Sequence, residues 1–363
     1  MAVLDPDSAA VVTLSDVERL AKLYKVPAED ILLIAINLHG IWAEQGQHRA
    51  RIAIRLSMRP APAWTVIVPL NMRTSPFRLQ DDLLMLDEEV VGTVERVVAD
   101  DAVGGYFRDD GRAATLNPNA RSRCVGCAFC PNTLEAAADP RLAEERQLGE
   151  LLAAMTAQHP RHDLTELQEV TVSTGCFERE RAAVGHVRSL REVLTAQGIG
   201  ARIGFLTSVL RTDAAFEELA THVSPFVLRL TAECFGRRSL LLKSSKADLA
   251  PEEMPHLLRR AARAGHDTSF TYIVGLDSLR ELRDGVARML PYITEFPNFQ
   301  VYQAHNSIMA YLRADGSASV GYYLHARRDI ERIFDNTGLR PAAWEGYRSL
   351  WYFKFGSEWL VQP

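Results

Sequence analysis

Three of the chain's five cysteines, Cys124, Cys127 and Cys130, fall within seven positions, in the run Arg121-Ser122-Arg123-Cys124-Val125-Gly126-Cys127-Ala128-Phe129-Cys130-Pro131-Asn132. Short C-x2-C steps let one loop deliver several thiolates to a single metal centre, and packing alone does not ask for that. A bacterial ferredoxin run would continue to a fourth cysteine and then a proline. Here Pro131 follows the third cysteine directly and position 134 is Leu, so the fourth ligand is missing locally. Three thiolates on a four-iron cluster leave one iron open to a ligand that is not protein, which suits catalysis rather than electron carriage. A structural zinc or iron–sulfur protein is the competing reading. Zinc needs a fourth Cys or His at fitting geometry, and His159, His162, Cys176 and Cys234 lie far along the chain for a compact knuckle. A disulfide framework fits less well, since the cysteines are sparse, odd in number and preceded by no secretory signal.

The second half of the run, Cys127-Ala128-Phe129-Cys130, matches the C-x-aromatic-C of the radical S-adenosylmethionine superfamily, and the loop resembles that superfamily's cluster motif. The resemblance implies a [4Fe-4S] cluster held by Cys124, Cys127 and Cys130, with S-adenosylmethionine chelated to the open iron and Phe129 near its adenine. One feature departs from the pattern: only Val125 and Gly126 separate the first two cysteines, where the superfamily has three residues. A changed ligand loop leaves open which carbon–sulfur bond is broken, giving a 5′-deoxyadenosyl radical as usual or the rarer aminocarboxypropyl radical.

Further positions follow from the same resemblance. Ser173, Thr174 and Gly175 end a buried strand begun at Glu169 and stand where the superfamily's Gly-Gly-Glu-like motif holds the cosubstrate's amino group, although Cys176 occupies the place where an acid is common. Ser208, at the end of the strand over 201–208, matches the position that faces the ribose hydroxyls; capping of the following turn is its alternative role. Glu233 closes the strand over 226–233, and an acid at the C-terminal end of a buried parallel strand is costly unless it binds something. The resemblance makes Glu233 a cosubstrate contact, with Lys243 a candidate for the cosubstrate's carboxylate. Gly275 ends the next strand, where a residue without Cβ lets the backbone approach the adenine. Tyr302 and Gln303 end the sixth strand and are pocket candidates. Cys176 and Cys234 lie just past strand ends, where catalytic groups gather; each is either a hydrogen-atom donor to a substrate radical or a small core residue.

The elements that position these residues are legible as alternation. From about residue 116 strands and helices take turns, the rhythm of parallel βα units, with helices expected over 141–159, 181–197 and 279–290. The expected fold is α/β: a partial, open (β/α)6 barrel over 113–315, an N-terminal α/β cap over 1–112, and a helical, aromatic-rich extension over 316–363 that packs on the barrel. In the cap, Ser15 should start one helix and Pro27 a second, with Ile31, Ile34, Ala35, Leu38 and Trp42 at helical spacing. The runs 51–56 and 64–70 read as strands, and 87–100 as a further helix stopped by Gly104-Gly105. The tail contributes a helix over 326–336 and the aromatics Trp344, Tyr347, Trp351, Tyr352, Phe353, Phe355 and Trp359.

A net charge of −5 gives no global basic field for nucleic acid or membrane surfaces. No apolar run approaches the roughly 20 residues that cross a bilayer. With no signal peptide at the N-terminus, a cytoplasmic protein is expected, and the Arg- and Ala-rich composition fits a GC-rich bacterial genome. The function expected is reductive cleavage of S-adenosylmethionine to start radical chemistry on a small-molecule metabolite or natural product, with a flavodoxin or ferredoxin as reductant. The same chemistry on a peptide or a tRNA is the alternative.

Overall fold

The computed structural model describes residues 11–44, 49–59, 62–70, 72–99, 107–116, 126–130, 147–173, 177, 179–343 and 345–361. The chain forms two compact units, one of Met1–Asp100, Ile273–Val286 and Asn298–Pro363, the other of Asp101–Tyr272 and Ala287–Pro297.

In the first unit, helices α1 (Leu14–Tyr24) and α2 (Ala28–His39) precede strands β1 (Arg49–Leu56), β2 (Trp64–Pro69), β3 (Phe77–Gln80), β4 (Leu83–Leu86) and β5 (Glu89–Ala99), which form an antiparallel sheet of order β2-β1-β5-β4-β3. Two expectations are corrected here. The cap of α1 is Thr13 rather than Ser15: its hydroxyl accepts the Asp16 N–H while the Asp16 carboxylate accepts the Thr13 N–H, a reciprocal capping box. The stretch expected as a helix over 87–100 is strand β5. Its β-branched residues favour a pleated surface, Asp87 turns the chain at φ 56°, and β5 finds partners on both sides, β1 and β4. Cross-strand pairing decides the element.

Helix α2 is buried on every side from Asp30 to Leu38, not along one stripe. Its two polar members are satisfied inside: Asn37 Nδ2 donates to the Tyr352 hydroxyl at 2.7 Å, and Asp30 Oδ1 accepts the N–H groups of Tyr352 and Phe353 at 2.9 Å each. The aromatic tail therefore packs partly on α2 and β2, where Trp64 meets the rings of Tyr352 and Phe353 edge-on at 5.3 and 5.0 Å between centroids. Trp344 lies outside the described residues.

The strand and helix alternation becomes a seven-stranded curled sheet. Strands β6 (Phe107–Arg108), β7 (Ala113–Leu116), β8 (Glu169–Ser173), β9 (Arg202–Thr207), β10 (Phe226–Glu233), β11 (Asp267–Val274) and β12 (Asn298–Val301) stand in the order β12-β11-β10-β9-β8-β7-β6. Strands β7 to β11 pair in parallel and in chain order, and β6 adds an antiparallel edge. Between them come α3 (Leu148–Gln158), α4 (Glu180–Ala196), α5 (Asp213–His222), α6 (Arg238–Leu241), α7 (Ser244–Ala247), α8 (Met254–Arg263) and α9 (Leu279–Met289). After β12 follow α10 (Ser307–Ala310), α11 (Val320–Phe334) and a two-residue hairpin, β13 (Lys354–Phe355) with β14 (Glu358–Trp359). Helix α11 starts six residues before the expected 326, because Ser319 caps it by accepting the Gly321 N–H. The expected helix over 141–159 is described from Leu148, and 141–146 lie outside the described residues.

The barrel strands are apolar nearly throughout, with β10 buried at every position but its last, as covered parallel strands require. Their N-terminal ends carry an ion network instead. Glu169, the first residue of β8, meets Arg229 at 2.9 Å and Arg202 at 2.7 Å, and both arginines also reach Glu295. Polar groups at that face serve stability, which leaves the opposite ends of the strands for chemistry.

Candidate functional site

Strand β10 delivers Glu233 at its C-terminal end. The chain then turns sharply, passes through α6 and α7, and brings Lys246 back so that Nζ donates to Glu233 Oε1 at 2.6 Å, both side chains being about 90% buried. Burial works against the Lys246 charge, but the Glu233 carboxylate, aided by Cys127 and Cys130, holds the ammonium above the ordinary lysine value.

The cysteine loop lies beside this pair. Its described part, 126–130, contains a turn in which Cys130 N–H donates to the Cys127 carbonyl at 2.9 Å, and it is tied to the segment after β10 where Ala128 N–H donates to the Leu241 carbonyl at 2.9 Å. Gly126 supplies a φ of 78° before Cys127, a conformation that favours glycine. Burial pushes the Cys127 thiol up; Lys246 and the backbone N–H of Lys243 pull it down, while Glu233 and Cys130 push it further up. Phe129 is buried. Two thiols and one enclosed ammonium therefore share the C-terminal end of β10. An ammonium has three donors and Lys246 makes one hydrogen bond among the described residues. Those unused donors fit a carboxylate-bearing ligand.

Several candidates gain a definite surrounding. Ser173 ends β8, half-buried, in register with Leu206. Ser208 is buried, and the capping alternatives fall to its neighbours: the Thr207 hydroxyl accepts the Val209 N–H at 3.2 Å, and Thr212 caps α5. Lys243 caps α7 with its backbone, and the lysine that meets Glu233 is Lys246. Cys234 is fully buried, and its carbonyl accepts Arg238 Nη1 at 2.6 Å. Cys124, Thr174, Gly175 and Cys176 lie outside the described residues. Among the described residues no group of three His, Cys, Asp or Glu could hold a metal; His159, weighed above as a zinc ligand, is turned to the Gly111 carbonyl at 3.1 Å.

In the other unit, Gly275 has φ 114°, and a Cβ there would stand 2.6 Å from the Tyr323 hydroxyl and 3.0 Å from the Tyr302 Cβ. Close packing of these two tyrosines is by itself reason for a glycine. The Tyr302 hydroxyl donates to the Met309 carbonyl at 2.8 Å, and Gln303 Nε2 to the Ile67 carbonyl at 2.6 Å, so both side chains are engaged in the interior.

Sequence reasoning missed Lys246 and Arg238. Both sit in a polar stretch with no periodicity, where spacing from Glu233 carries no signal; the one available clue was the density of basic residues after a strand-end acid.

No protein-family model matches the chain, and no curated protein does. Among solved structures, SuiB of Streptococcus suis bound to S-adenosylmethionine is 14% identical, with 55% of this chain and 42% of that one covered at a TM-score of 0.38. Coproporphyrinogen III oxidase, HemN, of Escherichia coli, a radical SAM enzyme, is 14% identical over 65% of this chain and 55% of that one, at 0.40. The FeFe-hydrogenase maturase HydG of Carboxydothermus hydrogenoformans is 15% identical over 64% and 54%, at 0.42. The chain spans about two fifths of the length of the SuiB structures it matches. These likenesses concern the fold, an α/β partial barrel.

Proposed function

We infer that the chain is a radical S-adenosylmethionine enzyme of the cytoplasm. The observation that carries this reading is the Glu233–Lys246 pair, enclosed at the end of β10 beside Cys127 and Cys130 of the C-x2-C-x2-C loop. When bound, a [4Fe-4S] cluster on Cys124, Cys127 and Cys130 with S-adenosylmethionine supplies one-electron cleavage of a carbon–sulfur bond and hence a carbon radical.

The chain's own residues hold and orient. The Lys246 ammonium, with donors to spare, would take the cosubstrate's carboxylate, and the Glu233 carboxylate would accept from its amino group. By the resemblance, Ser173, Thr174 and Gly175 would serve the same amino-acid end, Ser208 the ribose, and Phe129 and Gly275 the adenine. Lys243 contributes its backbone N–H beside Cys127. Cys234 and Cys176 stand as hydrogen-atom donors to a substrate radical. The substrate is a small metabolite or natural product, and the electron comes from a flavodoxin or ferredoxin.

The test is anaerobic: reconstitute the chain with iron and sulfide, add S-adenosylmethionine and dithionite, and identify products by mass spectrometry. 5′-Deoxyadenosine supports the reading, and methylthioadenosine formed only under reduction assigns the aminocarboxypropyl variant. A protein that takes up zinc, holds no iron and cleaves nothing overturns it.

A further inference from the structure

Glu233 holds a backbone conformation that residues with side chains avoid. Its φ is 64°, the register of β10 on β11 slips between Thr231 and Glu233, and the Cys234 N–H donates back to the Ala232 carbonyl at 2.8 Å. A bond across one residue of positive φ is the γ-turn of the rare, strained hand. Strain of this kind lasts only where the surroundings over-determine it.

One side chain supplies that constraint. Arg238, 6% exposed, directs Nη1 to the carbonyls of Ala232 and Cys234 at 2.6 Å each, and Nη2 to the carbonyl of Lys246 at 2.7 Å. The first two carbonyls flank Glu233, and the third belongs to the residue whose ammonium Glu233 accepts. One guanidinium thus pins the backbone at both ends of the Glu233–Lys246 ion pair. The planar, preorganised fork of arginine spans these acceptors; a lysine, a point charge on a flexible stem, does not reproduce it. Nearby, Phe235 stacks on Tyr272 at 5.0 Å and 28°, fixing the exit of the turn.

We propose that Arg238 is a positioning residue for cosubstrate binding: it acts through Glu233 and Lys246, setting the angle at which carboxylate and ammonium face the amino-acid end of the ligand. The proposal rests on the functional reading above. It makes the strained turn the price of aiming a carboxylate that would otherwise continue the line of the strand.

The test is a double-mutant cycle on the reconstituted protein, with S-adenosylmethionine binding measured by equilibrium dialysis and iron and sulfide content measured alongside. Arg238→Lys and Glu233→Gln should each weaken binding about tenfold or more, the worth of one well-placed polar contact, with cluster content unchanged. The double variant should bind no more weakly than the weaker single one, because the clamp acts through Glu233. Additive losses, unchanged affinity, or affinity lost only in proportion to cluster would overturn the proposal. A second measurement needs neither cofactor nor variant: in the wild-type apoprotein, amide exchange at Cys234 should be as slow as inside β10, and exchange typical of an open loop there would also overturn it. If wild type holds cluster but binds no cosubstrate, the functional reading fails with the ligand half of the proposal, and the exchange result still decides the clamp.

Discussion

Arg327 of α11 donates through Nη1 to Asp30 Oδ2 of α2 at 2.7 Å, an ion pair 297 residues apart in sequence with both side chains out of water. The other Asp30 oxygen takes the backbone N–H groups of Tyr352 and Phe353, and Arg327 also donates to the Leu350 carbonyl. Helix, tail and C-terminal helix of one unit are joined at a single carboxylate. Removing one partner of such a pair leaves a buried, uncompensated charge. Arg327→Met should therefore cost about 3–5 kcal/mol in urea unfolding, and Asp30→Asn with Arg327→Met together should cost less than the sum.

The network at the strand N-termini makes two carboxylates respond to acid with opposite sign. Burial works against the Glu169 carboxylate, but Arg229, the Thr171 hydroxyl and Arg202 together hold its pKa below the usual range. Its contribution is present at neutral pH and is lost as pH falls through the depressed native value. Burial pushes Glu295 up despite Arg229 and Arg202, so the native state takes that proton first and gains stability as pH falls toward 4.5. Melting temperature between pH 6 and 3 should fall less steeply in Glu169→Gln and more steeply in Glu295→Gln than in wild type.

His186 of α4 is buried, with Nε2 unpartnered among the described residues and its ring 5.2 Å from that of Phe177. Burial lowers its pKa from 6.5 to about 4. The neutral ring's contribution is complete above pH 6.5 and fades as pH falls toward 4, by at most about 3 kcal/mol at 1.36 kcal/mol per pH unit. His186→Phe should remove that slope between pH 6.5 and 4, read by urea unfolding at each pH, and a slope unchanged by the substitution would exclude His186 as its source.

Gly275→Ala places a methyl group 2.6 Å from the Tyr323 hydroxyl at a φ of 114°. The loss expected is about 1–3 kcal/mol, from strain and crowding together. Adding Tyr323→Phe should restore part of it in thermal unfolding, since only the crowding is relieved.

How much of this was legible beforehand depends on which force decided each element. The barrel strands were, because a parallel sheet covered on both faces leaves continuous apolar runs such as Phe226–Glu233. The place of Glu233 at the end of a buried strand was also legible. Strand β5 was not: Val97 opposite Ile52 and Thr93 opposite Leu83 are tertiary choices, invisible to a helical count of the same residues. That Lys246 returns to Glu233 was not legible, because the short helices α6 and α7 decide which lysine reaches β10, and four-residue helices leave no periodic trace. Arg238 was hidden by chemistry, since an arginine among basic neighbours reads as solvated until its carbonyl partners are seen.

The hydrogen bond from Ala128 to the Leu241 carbonyl also bears on the order of synthesis. Cys127 and Cys130 leave the ribosome well before α6 and α7, yet this tie to their loop, and the lysine charge beside it, come from those later residues. A nascent chain that has emerged only through α5 exposes its thiols without their seat. On the function proposed above, loading of metal follows the placing of β10 and the segment behind it, and the cysteines need a reducing surrounding, or a carrier, for the interval.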